Sequence, residues 1–164
     1  MRWRKNPREA EAYFRNPWVK AQLQRQVEAT LAEIRQAADW EVWARAKNPV
    51  ELIHRGTQVL WIVDQAAIAC RLPADLPELR IIAGAARALA EIAERPVLVE
   101  ANRASIQSGM AAADRLWPQL SVWALAEAEM RYHETVVTRG MCLSDFRYFA
   151  NLKTKEALPP IATA

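Results

Sequence analysis

The residues best able to bind a metal or act as a nucleophile are few: two histidines and two cysteines in 164 residues. Glu51-x-x-His54 has the spacing that, repeated on paired helices of a bundle, offers a carboxylate and an imidazole to a di-metal centre. Such a centre needs a second copy, and before the other histidine, His133, stand Met130 and Arg131 rather than a glutamate. Glu51 also has a simpler task at the third position of a helix opening at Asn48-Pro49. The expectation is therefore a capping glutamate beside an ordinary histidine, with no metal and no cofactor. Cys142 with His133-Glu134, or Cys70 with His54, would be the nucleophile–base pairs, since a reactive thiolate needs an imidazolium or a helix N-terminus beside it. Cys142 follows Gly140 near a potential helix start, whereas Cys70 falls in an apolar helical run, the ordinary place for a small thiol. There is no Gly-x-Ser-x-Gly elbow and no glycine-rich phosphate loop. An enzyme is not expected and no small-molecule substrate is evident. A metal-binding or catalytic bundle stands as the third reading.

The chemistry of recognition is richer. Arg2, Arg4, Lys5, Arg8, Arg15 and Lys20 interleave with Trp3, Tyr13, Phe14 and Trp18. Cations beside aromatic faces suit an acidic groove on a protein, where Trp and Arg are favoured anchors. They equally suit phosphates with bases stacked between them. The plainer alternative packs Tyr13, Phe14 and Trp18 on the body and leaves the cations in water. Trp40 and Trp43, three residues apart, share one helical face. Arg147, Lys153 and Lys155, near Tyr148 and Phe149, form a second basic cluster. The leading expectation is a non-enzymatic protein-binding module, an adaptor, inhibitor or assembly component. Its partner would be another protein or a second copy, met through Arg2, Trp3, Arg4, Lys5, Arg8, Arg15, Trp18, Trp40 and Trp43. The alternative is a nucleic-acid-associated regulator using the basic termini, although no helix reads as an Arg/Lys/Asn-rich recognition helix in a helix-turn-helix pair. A membrane-surface role for the arm is the weakest option.

Charge placement supports this division. The net charge of +3 resolves into +4 over residues 1–20, −3 over 21–138 and +2 over 139–164. The basicity belongs to the ends. Two cysteines without a CxxC pair suit a reducing cytosol. No apolar stretch of signal length follows the charged start, and Val59 to Cys70, interrupted by Asp64 and Gln65, falls short of the ~20 residues that span a bilayer. A soluble, cytoplasmic protein is expected. Seventeen Arg against five Lys, with 31 Ala, suggests a GC-rich bacterial genome.

These residues must be positioned by helices. Only four glycines against 31 alanines argue against glycine-rich β architectures. Asn-Pro occurs at 6–7, 16–17 and 48–49, pairing a strong N-cap with the residue best suited to the first helical position; Asp75-Leu76-Pro77-Glu78 follows the same logic. The map is a short helix near 7–15, one long helix near 17–47, then helices over 49–71, 76–95, 97–116 and 118–138, with a last short one from Ser144 to Asn151. The long helix would bury Val19, Leu23, Val27, Leu31, Ile34 and Ala38. Unbroken, it would extend roughly 46 Å, against a radius of gyration of about 15 Å for a compact chain of this size. Either it breaks near Asp39-Trp40 or the body is elongated. The helix over 49–71 is apolar nearly all round and belongs in the centre. Trp61 on it is core. Trp117-Pro118 forces a kink or a break, and Gly140 ends the helix before it. The expected architecture is all-α: a single-domain bundle of five to seven helices over 17–153, an N-terminal helical arm over 1–16 and a loose tail over 154–164.

Overall fold

Proline marks where helices begin, because its missing N–H would be unpaired in a first turn and its fixed φ is already helical. In the computed structural model, which describes residues 16–38, 49–94 and 100–150, helices start at Pro17, Pro49 and Pro77. At the first of these, the Asn16 side chain accepts the N–H of Trp18 at 3.0 Å, as an N-cap should. The helices are α1 (Pro17–Ala37), α2 (Pro49–Ala69), α3 (Pro77–Glu94), α4 (Glu100–Leu116), α5 (Val122–Arg139) and the short α6 (Arg147–Ala150). Two 3-10 turns, Trp117–Gln119 and Leu143–Asp145, complete the described residues, which contain no strand. The chain is a single all-α domain.

The anticipated long helix near 17–47 is corrected to α1, which stops at Ala37. Ala38, at φ −96° and ψ 23°, turns its N–H back to the carbonyls of Arg35 and Gln36. Aspartate, next in sequence at position 39, favours local turns over helix continuation. The break expected near Asp39-Trp40 as one of two alternatives is the outcome. The arm over 1–16 (except Asn16), the helix near 7–15, Trp40, Trp43 and the tail lie outside the described residues.

Helix α2 is the centre of the body. Val59, Leu60, Trp61, Ile62 and Val63 are buried on every side of the helix, against α3, α4 and α5. Burial ends at Ala67. Ile68 is exposed, and Arg71 adopts a left-handed φ of 57° so that Leu72 N–H can close back on the Ala67 carbonyl at 3.0 Å. That left-handed closure, more often built on glycine, releases the chain into Pro73. On α3, Leu79, Ile82, Ala86 and Leu89, spaced three and four residues apart, are buried, and Ala93 is exposed. Trp117-Pro118 proves to be a break. A 3-10 turn leads into extended Leu120, and Ser121 caps α5 by accepting the Ala124 N–H at 3.0 Å. Gly140, at φ 87°, ends α5 with its N–H on the Val136 carbonyl, as the position of the glycine predicts.

Helices α2 and α3, α3 and α4, and α2 and α5 run antiparallel. Gly56 meets Leu89 between α2 and α3, and Glu78 pairs with Arg115 between α3 and α4. Between α2 and α5, Trp61 packs edge-on against Tyr132, and Ser121 N–H reaches Cys70 Sγ. Helix α1 lies outside this group, against α5 and α2. Of its predicted apolar face, Val27, Leu31 and Ala38 are buried; Val19, Leu23 and Ile34 are only half covered.

Candidate functional site

The incomplete coverage of α1 has a shape. Between its C-terminal half and the facing ends of α4 and α5 lies an open groove of about 840 Å³. Leu31, Met110, Trp117, Val122 and Leu125 supply its apolar surface, and Glu28, Arg35, Gln107 and Asp114 its polar one. Arg35 grips Asp114 with both Nε and Nη2, tying α1 to the end of α4. Half of the Asp114 side chain faces water, so this pair fixes geometry more than it stabilises. A concave apolar surface edged by charges of both signs is suited to a side chain or short helix from another molecule. Among the described residues its lining holds no cysteine, serine, threonine, lysine or histidine.

Trp18 stands at the other end of the same helix. It is 74 % exposed, so for this residue the packing alternative does not hold. Of the other residues assigned to recognition, Arg2, Trp3, Arg4, Lys5, Arg8, Arg15, Trp40, Trp43, Lys153 and Lys155 lie outside the described residues. Arg147 is described, and it is turned inward. Its guanidinium donates to the Leu72 carbonyl and its backbone N–H donates to Asp64 Oδ2 at 2.9 Å.

Among the described residues, neither histidine hydrogen-bonds to the cysteine it was paired with in sequence. His133 Nε2 pairs with Glu129 at 2.6 Å. The group on the Cys142 thiol is Arg139, whose Nη1 donates to Sγ at 2.9 Å while Nη2 holds Asp145 at 2.8 Å. His54 and Cys70 sit at opposite ends of α2, roughly 24 Å apart at 1.5 Å per residue. Cys70 Sγ instead accepts the Ser121 N–H at 3.5 Å. His54 is exposed, and among the described residues no three His, Cys, Asp or Glu side chains converge as metal ligands. No described helix is long and apolar enough to cross a membrane.

Sequence reasoning passed over Asp64. It served there only as an interruption of an apolar run, yet that interruption was the signal. It is fully buried, with Oδ1 lacking a hydrogen-bond partner among the described residues. Burial pushes its carboxyl from 3.8 up to about 7, with the Arg147 backbone bond and charge pulling the other way. The same helix carries two further buried groups that lack hydrogen-bond partners among the described residues, Thr57 Oγ1 and Trp61 Nε1, and spacings of four and three residues put all three on one face. The groove, by contrast, joins residues some eighty positions apart, and no local pattern announces it. A comparison of the chain with protein-family models, with curated proteins and with solved structures found no match in any of the three.

Proposed function

We propose that this chain is a non-enzymatic helical module that binds another protein, through the exposed face of α1 and the basic aromatic segment that precedes it. One observation carries the reading: the indole of Trp18, 74 % exposed on the first turn of α1. Tryptophan is a costly residue to leave in water and a strong anchor when a partner covers it. It follows directly on Arg15-Asn16-Pro17, at the junction with the cationic segment. Asn16 and Pro17 fix the start of the helix, so the ring is presented from a defined backbone rather than from a loose chain. Farther along the same helix, the apolar groove beside Leu31 offers a second area of contact.

The test is affinity capture from extract of the source cells, comparing wild type with Trp18→Ala and with a chain in which Arg2, Arg4, Lys5 and Arg8 are changed to Ser. Recovery of a discrete protein by wild type, reduced at least tenfold by Trp18→Ala at unchanged helix content, is the expected result. Equal recovery by all three chains overturns the reading. Recovery that disappears on nuclease treatment overturns it in favour of nucleic acid.

A further inference from the structure

Asp64 lies on central helix α2 among apolar neighbours, and the atoms that touch it come largely from one place. Oδ2 accepts the Arg147 backbone N–H at 2.9 Å and a longer contact of 3.5 Å from Gln65 Nε2. Gln65 Nε2 also donates to the Asp145 carbonyl at 2.8 Å, and Arg147 Nη1 reaches the Leu72 carbonyl. Between Asp145 and Arg147 sits Phe146, with no exposed surface. Residues 142–150 are thus laid across α2 and α3, joined to Asp64 through the Arg147 N–H, with Phe146 buried one residue before that bond.

The charges acting on Asp64 belong to that same segment: Arg147 attracts and Asp145 repels. The other elements direct theirs elsewhere. Arg139 of α5 holds Asp145, Arg80 of α3 lies over the Tyr148 ring, Arg115 of α4 pairs with Glu78, and Arg35 of α1 with Asp114. Once ionised, Asp64 has the Arg147 backbone donor and the longer Gln65 contact on Oδ2, and no donor on Oδ1 among the described residues. A buried carboxylate so poorly solvated is strongly disfavoured. Lifting the segment that bonds to it would bring water to the carboxylate.

We propose that residues 142–150 form a pH-sensitive strap, closed over Asp64 while that carboxyl is protonated and released as it ionises, uncovering the apolar seat of Phe146 on α2 and α3. The sign follows from proton linkage. In the closed state burial holds the carboxyl up at about 7; in the open state water returns it to 3.8. Below pH 4 both states are protonated and opening does not depend on pH. From about pH 4 to 7 only the open state loses its proton, so the opening constant rises roughly tenfold per pH unit. Above 7 both are ionised and opening stays at its highest level.

Hydrogen exchange of the amides of residues 143–150, read at pH 5, 6, 7 and 8 and corrected for intrinsic exchange, tests this. In wild type, protection should fall by about tenfold per unit from pH 5 to 7 and then level off, while the α2 amides of Val59 to Val63 hold theirs. Asp64→Asn keeps an oxygen for the Arg147 N–H but cannot ionise, and its strap protection should be flat with pH. Gln65→Ala, which removes the 2.8 Å bond to the strap, should lower protection between pH 5 and 6 and leave the slope there intact, while loss of its contact with Asp64 carries the levelling-off to higher pH. A wild-type strap with no slope between pH 5 and 7, a slope retained in Asp64→Asn, or parallel loss of protection in α2 would each overturn the proposal.

Discussion

The α3–α4 contact and the docking of α1 show two ways of attaching a helix to this bundle. Where α3 meets α4 the side chains are small. A Cβ built on Gly109 would lie 2.1 Å from the Cβ of Ala85, so the two backbones approach as closely as a missing side chain allows. Helix α1 instead rests on a few large residues, Val27 and Leu31 foremost, with the Arg35–Asp114 pair at its end and an open groove alongside. The first contact has no slack. The second leaves surface uncovered, and it is there that the exposed indole and the groove occur. Close packing of small residues excludes ligands; attachment through a few large ones creates the concavities that receive them.

The sharpest way to separate the two regions is to cut large side chains in each. Leu60→Ala opens a hole at the fully buried centre and should cost about 3–5 kcal/mol by denaturant unfolding. Leu31→Ala borders the groove, where water can fill the space, and should cost only about 2 kcal/mol. Equal losses would mean that α1 is as tightly integrated as the core. Next in size is Gly109→Ala, which must push α3 and α4 apart and should destabilise by about 1–3 kcal/mol despite alanine's better helix propensity. A gain in stability there would dissolve the contrast. Gly84→Ala is the control on the other side of α3: nothing lies within 4 Å of the added methyl, so stability should rise by about 0.5–1 kcal/mol. The smallest effect is expected from Asp114→Asn, about 0.2–1 kcal/mol and fading with salt, because its ion pair is half exposed. A larger or salt-independent loss would show that the pair, rather than Val27 and Leu31, holds α1 in place.

Much of the framework can be read from local residue patterns. Asn16-Pro17 caps α1, Pro77 opens α3 and Gly140 closes α5 because caps depend on the conformational limits of single residues. The burial of α2 from Val59 onward follows from apolar residues on all its sides. The limits appear where packing competes with pattern. Ser121, three residues past Pro118, is the true cap of α5, since the turn at Trp117–Gln119 had to be completed first. Ser144 does not open the last helix. Arg147 does, with Asp64 receiving its N–H from more than eighty residues away. A basic residue counted towards a surface cluster was drawn inward by the same contact.

The amino-acid sequence by itself determined the helical class, most of the helix starts and ends, the central position of α2 and the segregation of positive charge to the termini. Each depends on near neighbours in the chain: the fixed φ of proline, the caps of asparagine and glycine, the period of apolar residues. Only the tertiary structure decided that α1 leaves a groove beside Leu31, that Trp18 stays in water, and that Asp64 lies without solvent against the backbone of Arg147. These depend on which distant surfaces meet and how completely they cover one another, and burial, unlike helix formation, is a property of the whole assembled chain.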